Sequence, residues 1–519
     1  MDRSSALVAL GIFCSRLTGF VRQRVFAHYF GLQSDAADAF MAAFRIPNFL
    51  QNLFGEGALS ASFIPVYASL VARNDRREAA RVAGAVAALL SLITSVLVLL
   101  GVVMTPMLVM LIAPGFRGEK RDLTIAIVRI LFPGAGLLVL SAWCLGILNS
   151  HRRFLLSYIA PVIWNVSMIV TLLWWGAQTP LPRLAVLLAW GAVAGSALQM
   201  LVQLPAVLRL MPDLRFRLEF SDHVRAMVRN FAPVFVGRGV VQISAYIDEV
   251  LASLLPTGAV TGLANAQLLY TLPVSLFGLS VAAAALPAMS GAVGLDNTHL
   301  LRDRVNGGLR QIAFFVVPSA VTFLLLGDVV AAALFQTGRF GHEDALYVWG
   351  ILAGSSIGLL ATTFARLYSS TYYALRDTRT PLRYALIHVG LATALGYIAA
   401  IVLPPRMGIA PLWGTVGLTT AASIAGWVEL IFLRRTLNRR IGRTGLPTSL
   451  SLRLWGAALA AAGVAWGVKL AIPPVHPIVG AALILTPFGL TFFGLAVVLG
   501  VPEARGVLAR LTRRRRIGE

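Results

Sequence analysis

Seven arginines stand inside long apolar runs of this chain: Arg16, Arg22, Arg24, Arg45, Arg129, Arg238 and Arg366. A guanidinium at the centre of a bilayer costs about 2.5–3.5 kcal/mol on insertion scales, so each asks for compensation. Four of them fall in the first two runs, where the acids at hand are Asp38 and Glu56, which leaves an excess of positive charge. Asp38 and Arg45, seven residues apart, share a helical face and could pair. Asn48, Asn52 and Glu56 continue at intervals of four as a polar stripe beyond Pro47. On a segment otherwise rich in Phe, Ala and Leu, that stripe must face protein or a wet cavity. Arg238 stands ten residues before Asp248. Arg24, Arg129 and Arg366 lie near the ends of their runs, where snorkelling to the interface is the competing reading. Arginine's planar fork of donors matches phosphate oxygens bidentately, so the chemistry this set suits is anion binding within a membrane.

The elements that hold these residues must be helices in lipid. Hydrophobic residues make up 58% of the 519 and charged residues 13%, against about 25% charged in soluble proteins. Apolar runs of about 20 residues, enough to cross a bilayer as a helix, occur near 5–30, 36–70, 82–113, 122–148, 157–177, 183–208, 226–255, 259–290, 309–336, 344–372, 384–403, 410–433, 453–471 and 477–501. The net charge of +22 would suit a nucleic-acid binder, but its distribution excludes one. With the N-terminus inside, thirty arginines fall in cytoplasmic loops, and only Arg117, Lys120, Arg121, Arg183, Arg339 and Arg406 fall outside. That alternation predicts an all-α polytopic membrane protein with fourteen transmembrane helices and both termini inside. Pro47, Phe54-Gly55 and Pro65 are echoed by Pro273, Phe277-Gly278 and Pro287. The echo predicts two pseudo-symmetric six-helix lobes, 1–220 and 221–445, followed by a helix pair with a basic tail, 446–519. Pro47 and Pro273 are expected to kink or break their helices.

Enzyme and cofactor motifs are poor. Neither lysine, Lys120 or Lys469, sits in a Walker A loop, which argues against ATP-driven transport. Gly354-Ser355-Ser356-Ile357-Gly358 has the spacing of a nucleophile elbow but lies in mid-span, where it reads as a small-residue packing face. No His pairs with a metal-ligand neighbour, no cofactor is expected, and Cys14 and Cys144 in apolar runs read as buried thiols. The first run carries Arg16 and Arg22 and lacks a small-residue cleavage site, so no cleavable signal is expected.

Ser15-Arg16-x-x-Gly19-Phe20-x-Arg22, Asp38-Ala39-Phe40, Pro47-Asn48 and Glu56-Gly57-Ala58 together resemble the N-terminal signature of the MurJ (MviN) lipid II flippases. Further matches are Ala113-Pro114-Gly115-Phe116, Ile147-Leu148-Asn149, Arg153-Phe154, Ala160-Pro161 with Asn165 and Ser167-Met168-Ile169, and Gln242-Ile243-Ser244. Leu334-Phe335-Gln336 with Gly338 and Phe340, and Asp377 with Thr380-Pro381, complete the set. The resemblance covers the first twelve spans. It implies the multidrug/oligosaccharidyl-lipid/polysaccharide exporter fold, two lobes around a central cationic cavity, with the last two helices adding a groove for a lipid tail. It implies movement of undecaprenyl-pyrophosphate-linked disaccharide-pentapeptide from the inner to the outer leaflet of the bacterial cytoplasmic membrane. The drive would be a monovalent ion or the membrane potential. Arg16, Arg22, Asp38 and Glu56 fall on positions the family uses, and Arg366 on a basic position of span 10. With Arg24, Arg45, Asn48, Asn52 and Arg238 these form the expected substrate-binding set. The chain departs from the family where it carries Gln51, Asn52 and Leu268 in place of basic residues. Either Arg238 and Arg45 substitute, or the chain is a divergent paralogue or an exporter of another polyprenyl-linked glycan.

Overall fold

The structure, a computed structural model, describes residues 3–54, 56–219, 221–222, 224–225, 227, 229 and 246–506, with side chains for all of these except 3–9, 56–58 and 60–61. They separate into two compact units: Met1–Thr261 with Thr337–Phe340, and Gly262–Gln336 with Gly341–Glu519.

The first unit holds α1 (Arg3–Phe30), α2 (Asp35–Phe54), α3 (Glu56–Ala72), α4 (Arg76–Val103), α5 (Thr105–Ile112), α6 (Gly118–Ser150), α7 (Phe154–Trp175) and α8 (Leu181–Leu210), then a helical stretch over 246–253. α9 (Ala259–Pro273) starts here and continues in the second unit. There follow a π-helical segment Val274–Leu279, α10 (Ser280–Gly294), α11 (Thr298–Leu325), α12 (Gly327–Phe335), α13 (His342–Ser356), α14 (Leu359–Ala374) and α15 (Arg379–Tyr397). A second π-helical segment Ile398–Val402, α16 (Leu403–Arg406), a 3-10 turn Pro411–Trp413, α17 (Gly414–Ile441), α18 (Thr448–Ala471) and α19 (Pro477–Val498) complete it.

Among the described residues, ten helical segments are long and apolar enough to cross a bilayer, or eleven when α13 and α14, bent by 44°, count as one. The all-helical membrane class expected from composition is therefore present. The apolar run 82–113 is a broken helix: it forms α4 and α5, the latter with Pro106 in its first turn. Pro47 stays inside a continuous α2, whereas Pro273 ends α9 at the π-helical segment. A proline removes one backbone donor and crowds the preceding turn, and a wider π turn is one way to absorb it. Most of the run expected at 226–255, Arg238 included, lies outside the described residues.

Local signals set many boundaries. Asp75 caps α4 by accepting from Glu78 N at 3.1 Å, and Asn297 caps α11 by accepting from Leu300 N at 2.9 Å. Gly31 ends α1 with φ +66 and Gly338 adopts φ +56; a Cβ on Gly338 would lie 2.4 Å from His28 O. The turn 337–340 is thereby seated on α1: Arg339 N donates to His28 O at 2.9 Å, and His28 Nδ1 lies 2.9 Å from Thr337 Oγ1.

The described residues of the first unit include two buried clusters. Phe63, Tyr67, Val82, Val86, Val139 and Ile147 form one, and Phe26, Phe40, Ile127, Met168, Leu184 and Leu188 the other. In the second unit small residues let α17 approach α13 and α14. Ser423 Oγ donates to Gly354 O at 2.8 Å, Thr419 Oγ1 donates to Ile351 O at 3.0 Å, and a Cβ on Gly358 would fall 2.7 Å from Ser423 Cα. The elbow-like glycines are thus a helix-packing face. Gly358→Val is expected to lower stability by about 1–3 kcal/mol, the usual penalty of overpacking, read as a drop in thermal midpoint in detergent.

Asp377, one of the motif residues, stands at the start of α15. Its Oδ1 accepts from Arg379 N and Thr380 N at 3.1 and 3.0 Å, and its Oδ2 accepts from Thr380 Oγ1 and Arg440 at 2.7 and 2.8 Å. Burial pushes this carboxyl up, but the Thr380 bonds and the Arg440 guanidinium outweigh it and hold it at about 2. Because the folded value lies below the unfolded one, the stabilisation is present above about pH 4 and fades as pH falls toward 2. Asp377→Asn should therefore flatten the acid limb of thermal stability between those values.

Candidate functional site

The arginines of α1 take different environments. Arg16 and Arg22, six residues apart, differ by about 120° around the helix; Arg16 is exposed and Arg22 half-buried, as is Arg24. Arg22 Cζ lies 5.4 Å from the centroid of Phe44 on α2 and 5.3 Å from that of Trp164 on α7. Those two rings stack on one another at 5.5 Å. The charge is thus held against two π faces, which attract a cation without neutralising it. Its one protein hydrogen bond among the described residues is to Met168 Sδ, at 3.9 Å. No carboxylate among the described residues pairs with Arg16 or Arg22. A guanidinium carries five N–H donors, so most of Arg22's capacity is unspent. Small cavities of about 20 Å³ flank this triad, one lined by Arg22, Phe40 and Phe44, the other by Phe44, Asn48 and Trp164. Each has room for a water.

Asp38, by contrast, is fully engaged. It is buried, with Oδ2 accepting from Lys120 Nζ and Gly258 N, both at 2.8 Å, and Oδ1 accepting from Thr261 N and Thr261 Oγ1 at 2.9 and 2.7 Å. Lys120 Nζ also lies 3.2 Å from Asp35 Oδ1 and 4.4 Å from the centroid of Phe116. Thr257 donates to Asp35 at 2.7 Å. The carboxylate therefore pins the start of α9 to α2, and the anion suits a helix N-terminus.

Arg45 pairs with Glu249, not Asp38: Nε and Oε2 are 3.0 Å apart, and Glu249 is buried. Tyr246 Oη donates to Arg45 O at 2.8 Å. Beside this pair opens an apolar cavity of about 630 Å³, lined by Ile46, Leu50, Leu97, Phe132 and Tyr246 among others. Along α2, Asn48 and Gln51 are half-buried and Asn52 exposed. The side chain of Glu56 and all of Arg238 lie outside the described residues. In the second unit Arg366 is exposed on α14, one turn beyond Thr362, whose hydroxyl accepts from Tyr270 at 3.0 Å. Leu268 is half-buried on α9.

Sequence reasoning missed Phe44, Trp164 and Lys120 as members of these clusters. Lys120 carried a signal: it is one of two lysines in a chain whose other basic residues are all Arg. Trp164 sits inside the Ala160–Met168 motif, next to Asn165.

A sequence profile described as lipid II flippase MurJ matches residues 26–498. A probable lipid II flippase MurJ of Rhizobium meliloti is 30% identical over 487 residues, covering 93% of this chain and 88% of that protein. The lipid II flippase MurJ of Burkholderia cenocepacia is 29% identical over 507 residues, covering 94% and 96%. Among solved structures, a lipid II flippase MurJ in an inward closed conformation superposes with TM-score 0.77 at 24% identity, covering 97% of this chain and all of that one. An inward-facing multidrug resistance MATE transporter of the MOP superfamily reaches 0.67 at 17% identity, over 84% and 99%. At those identities the structural likeness speaks for the fold.

Proposed function

The chain belongs to the lipid II flippase MurJ family, and from that we propose that it carries lipid II from the inner to the outer leaflet of the bacterial cytoplasmic membrane. The members are named as flippases, transporters rather than enzymes. The observation that carries this reading is Arg22, a guanidinium held by Phe44 and Trp164 with most of its donors unspent. A pyrophosphate leaving water needs its hydration replaced. One charge pair at 4 Å contributes about 4 kcal/mol at an effective dielectric of 20. Arg16, Arg22, Arg24, Arg45, Arg238 and Arg366 would line a cationic chamber, with Asn48, Asn52 and Glu56 keeping it wet. Asp38 acts through position, by fixing where α9 begins.

Alternating access of two six-helix lobes, built from fourteen spans with both termini inside, would expose the head group first to one side and then to the other. The tail would stay in lipid along α18 and α19. The membrane potential, about 2.3 kcal/mol per charge per 100 mV, would help reset the empty cationic chamber.

The test is flipping of a fluorescent lipid II in vesicles containing only this protein, run beside a polyprenyl-pyrophosphate sugar that lacks the peptide. Transport of lipid II supports the proposal. Transport of the second substrate alone supports the other-glycan reading, which Gln51, Asn52 and Leu268 favour. Transport of neither rejects both.

A further inference from the structure

The second unit carries an apolar groove of about 540 Å³ that the site above does not use. One wall is the face of α17 that holds Val416, Gly417, Thr420 and Ile424 at helical spacing, continued by Trp413 of the preceding 3-10 turn. The facing wall is the end of α15 with the π-helical segment and α16, through Leu395, Ile398 and Leu403. We propose that this groove holds one acyl chain of an anionic phospholipid, whose phosphate sits at Arg406.

The walls set the chemistry of the occupant. Gly417 lets the π-helical segment come close, since a Cβ there would run into Ala399 O. Thr420, the one hydroxyl in the lining, spends its proton on Val416 O at 2.7 Å. Apart from the Trp413 indole, the lining offers no free polar side-chain group, so the body of the occupant is hydrocarbon. Both helical segments are long and apolar enough to cross a bilayer, and Ile398, Leu403, Trp413 and Ile424 are exposed. From Trp413 to Ile424 the wall rises about 16 Å at 1.5 Å per residue. That is the depth of one leaflet of a hydrocarbon core about 30 Å thick. A phospholipid chain matches it, whereas the much longer undecaprenyl tail overruns it.

Charge marks one end of the groove. Pro404 and Ile409 both line it there, and Ile409 N donates to Pro404 O at 3.0 Å, closing a turn in which Gly408 has φ +67. Arg406 stands exposed in this turn, two residues from Pro404, a chain distance of about 7 Å at most. It is the only Asp, Glu, Lys or Arg between Arg383 and Glu429. No carboxylate among the described residues pairs with it. A guanidinium so placed complements a phosphate.

Trp413 adds a second donor at the same end. Its benzo edge is packed on α13, where a Cβ on Gly350 would lie 2.7 Å from Cζ3, and its ring meets Tyr347 edge-on at 5.6 Å. Nε1 is on the other edge. Trp349, Trp427 and Trp466 of the same unit donate their indole N–H to backbone carbonyls. Trp413 Nε1 has no protein acceptor among the described residues. A tryptophan with its body in hydrocarbon and its N–H toward headgroups is the usual arrangement at a membrane boundary.

The probe is phosphatidylglycerol with a photoreactive diazirine on its acyl chain, doped into phosphatidylcholine vesicles that contain the whole chain. After illumination, peptides covering residues 395–424 should carry more label than other membrane-spanning peptides of the second unit. Thr420→Trp and Ile424→Trp, which fill the groove, should remove that excess. Arg406→Gln, on an exposed turn, should lower it about fivefold, the discrimination one basic side chain gives at a membrane surface, with the thermal midpoint unchanged. Phosphatidylcholine bearing the same diazirine should label correspondingly less. Equal labelling by the two lipids, or no loss in Arg406→Gln, overturns the phosphate contact. Labelling no higher than on other helices, or unchanged in both Trp variants, overturns the groove. Stronger protection by undecaprenyl phosphate than by unlabelled phosphatidylglycerol overturns the phospholipid assignment. None of these readouts uses flipping, so the site stands or falls apart from the transport reading.

Discussion

Arg22→Ala is expected to slow lipid II flipping on the order of a hundredfold while leaving thermal stability equal or higher. Most charged residues inside a protein cannot show that combination, because they are paired, and deleting one partner strands the other. Among the described residues Arg22 has no carboxylate to strand: its neighbours are Phe44, Trp164 and Met168. Removing the guanidinium relieves an unpaired, half-buried charge and, on the proposed function, takes away one phosphate contact. At about 4 kcal/mol before screening, with 1.36 kcal/mol per tenfold in rate, a hundredfold loss is the discounted expectation. Arg22→Lys keeps the charge but loses the planar fork and its stacking, so it should fall between the two. Trp164→Leu removes a cation–π contact of about 0.5–2 kcal/mol and should cost less than Arg22→Ala. The checks are the vesicle assay, growth of a flippase-depleted host, and a melting curve on each variant. If Arg22→Ala melts early, or flips at the wild-type rate, the guanidinium is structural.

Asp38→Ala should show the opposite signature, losing stability first and activity as a consequence. Its two oxygens accept four bonds, and when they are gone Lys120 keeps the exposed Asp35, a 3.4 Å bond to Thr257 Oγ1 and the Phe116 ring. Breaking a buried pair by deleting one partner costs about 3–5 kcal/mol, which should appear as a large fall in thermal midpoint. Asp38→Asn retains part of the capping of Thr261 N and Gly258 N and should recover part of that loss. Lys120→Met with Asp38→Asn removes both charges and should be milder than Asp38→Ala. A normal midpoint for Asp38→Ala would return Asp38 to the substrate-contacting set.

The apolar runs were legible because a 20-residue hydrophobic stretch has one stable solution in lipid. The packing role of Gly354 and Gly358 was legible for a related reason: a strand-to-helix elbow cannot occur in mid-span. Where a run breaks was not legible. Hydropathy reads α4 with α5 as one segment, because the turn at Met104 between them brings no loss of apolar character. Partners distant in sequence were hidden too. Asp38 meets Lys120 and Thr261, and Arg45 meets Glu249 instead of the acid one heptad away, because tertiary packing outweighs shared helical face. Arg22 could be singled out as an unexplained charge, but its aromatic cradle comes from two other helices.

The four-residue turn seated on α1 bears on how the molecule is made. Residues 337–340 belong to the first compact unit, yet the ribosome reaches them only after translating Gly262–Gln336 of the second. The amino-terminal half therefore waits for its last piece through the synthesis of α9 to α12, with His28 and the end of α1 uncovered in the meantime. A nascent chain stalled before Thr337 should be more open to protease at that end than one stalled beyond Phe340.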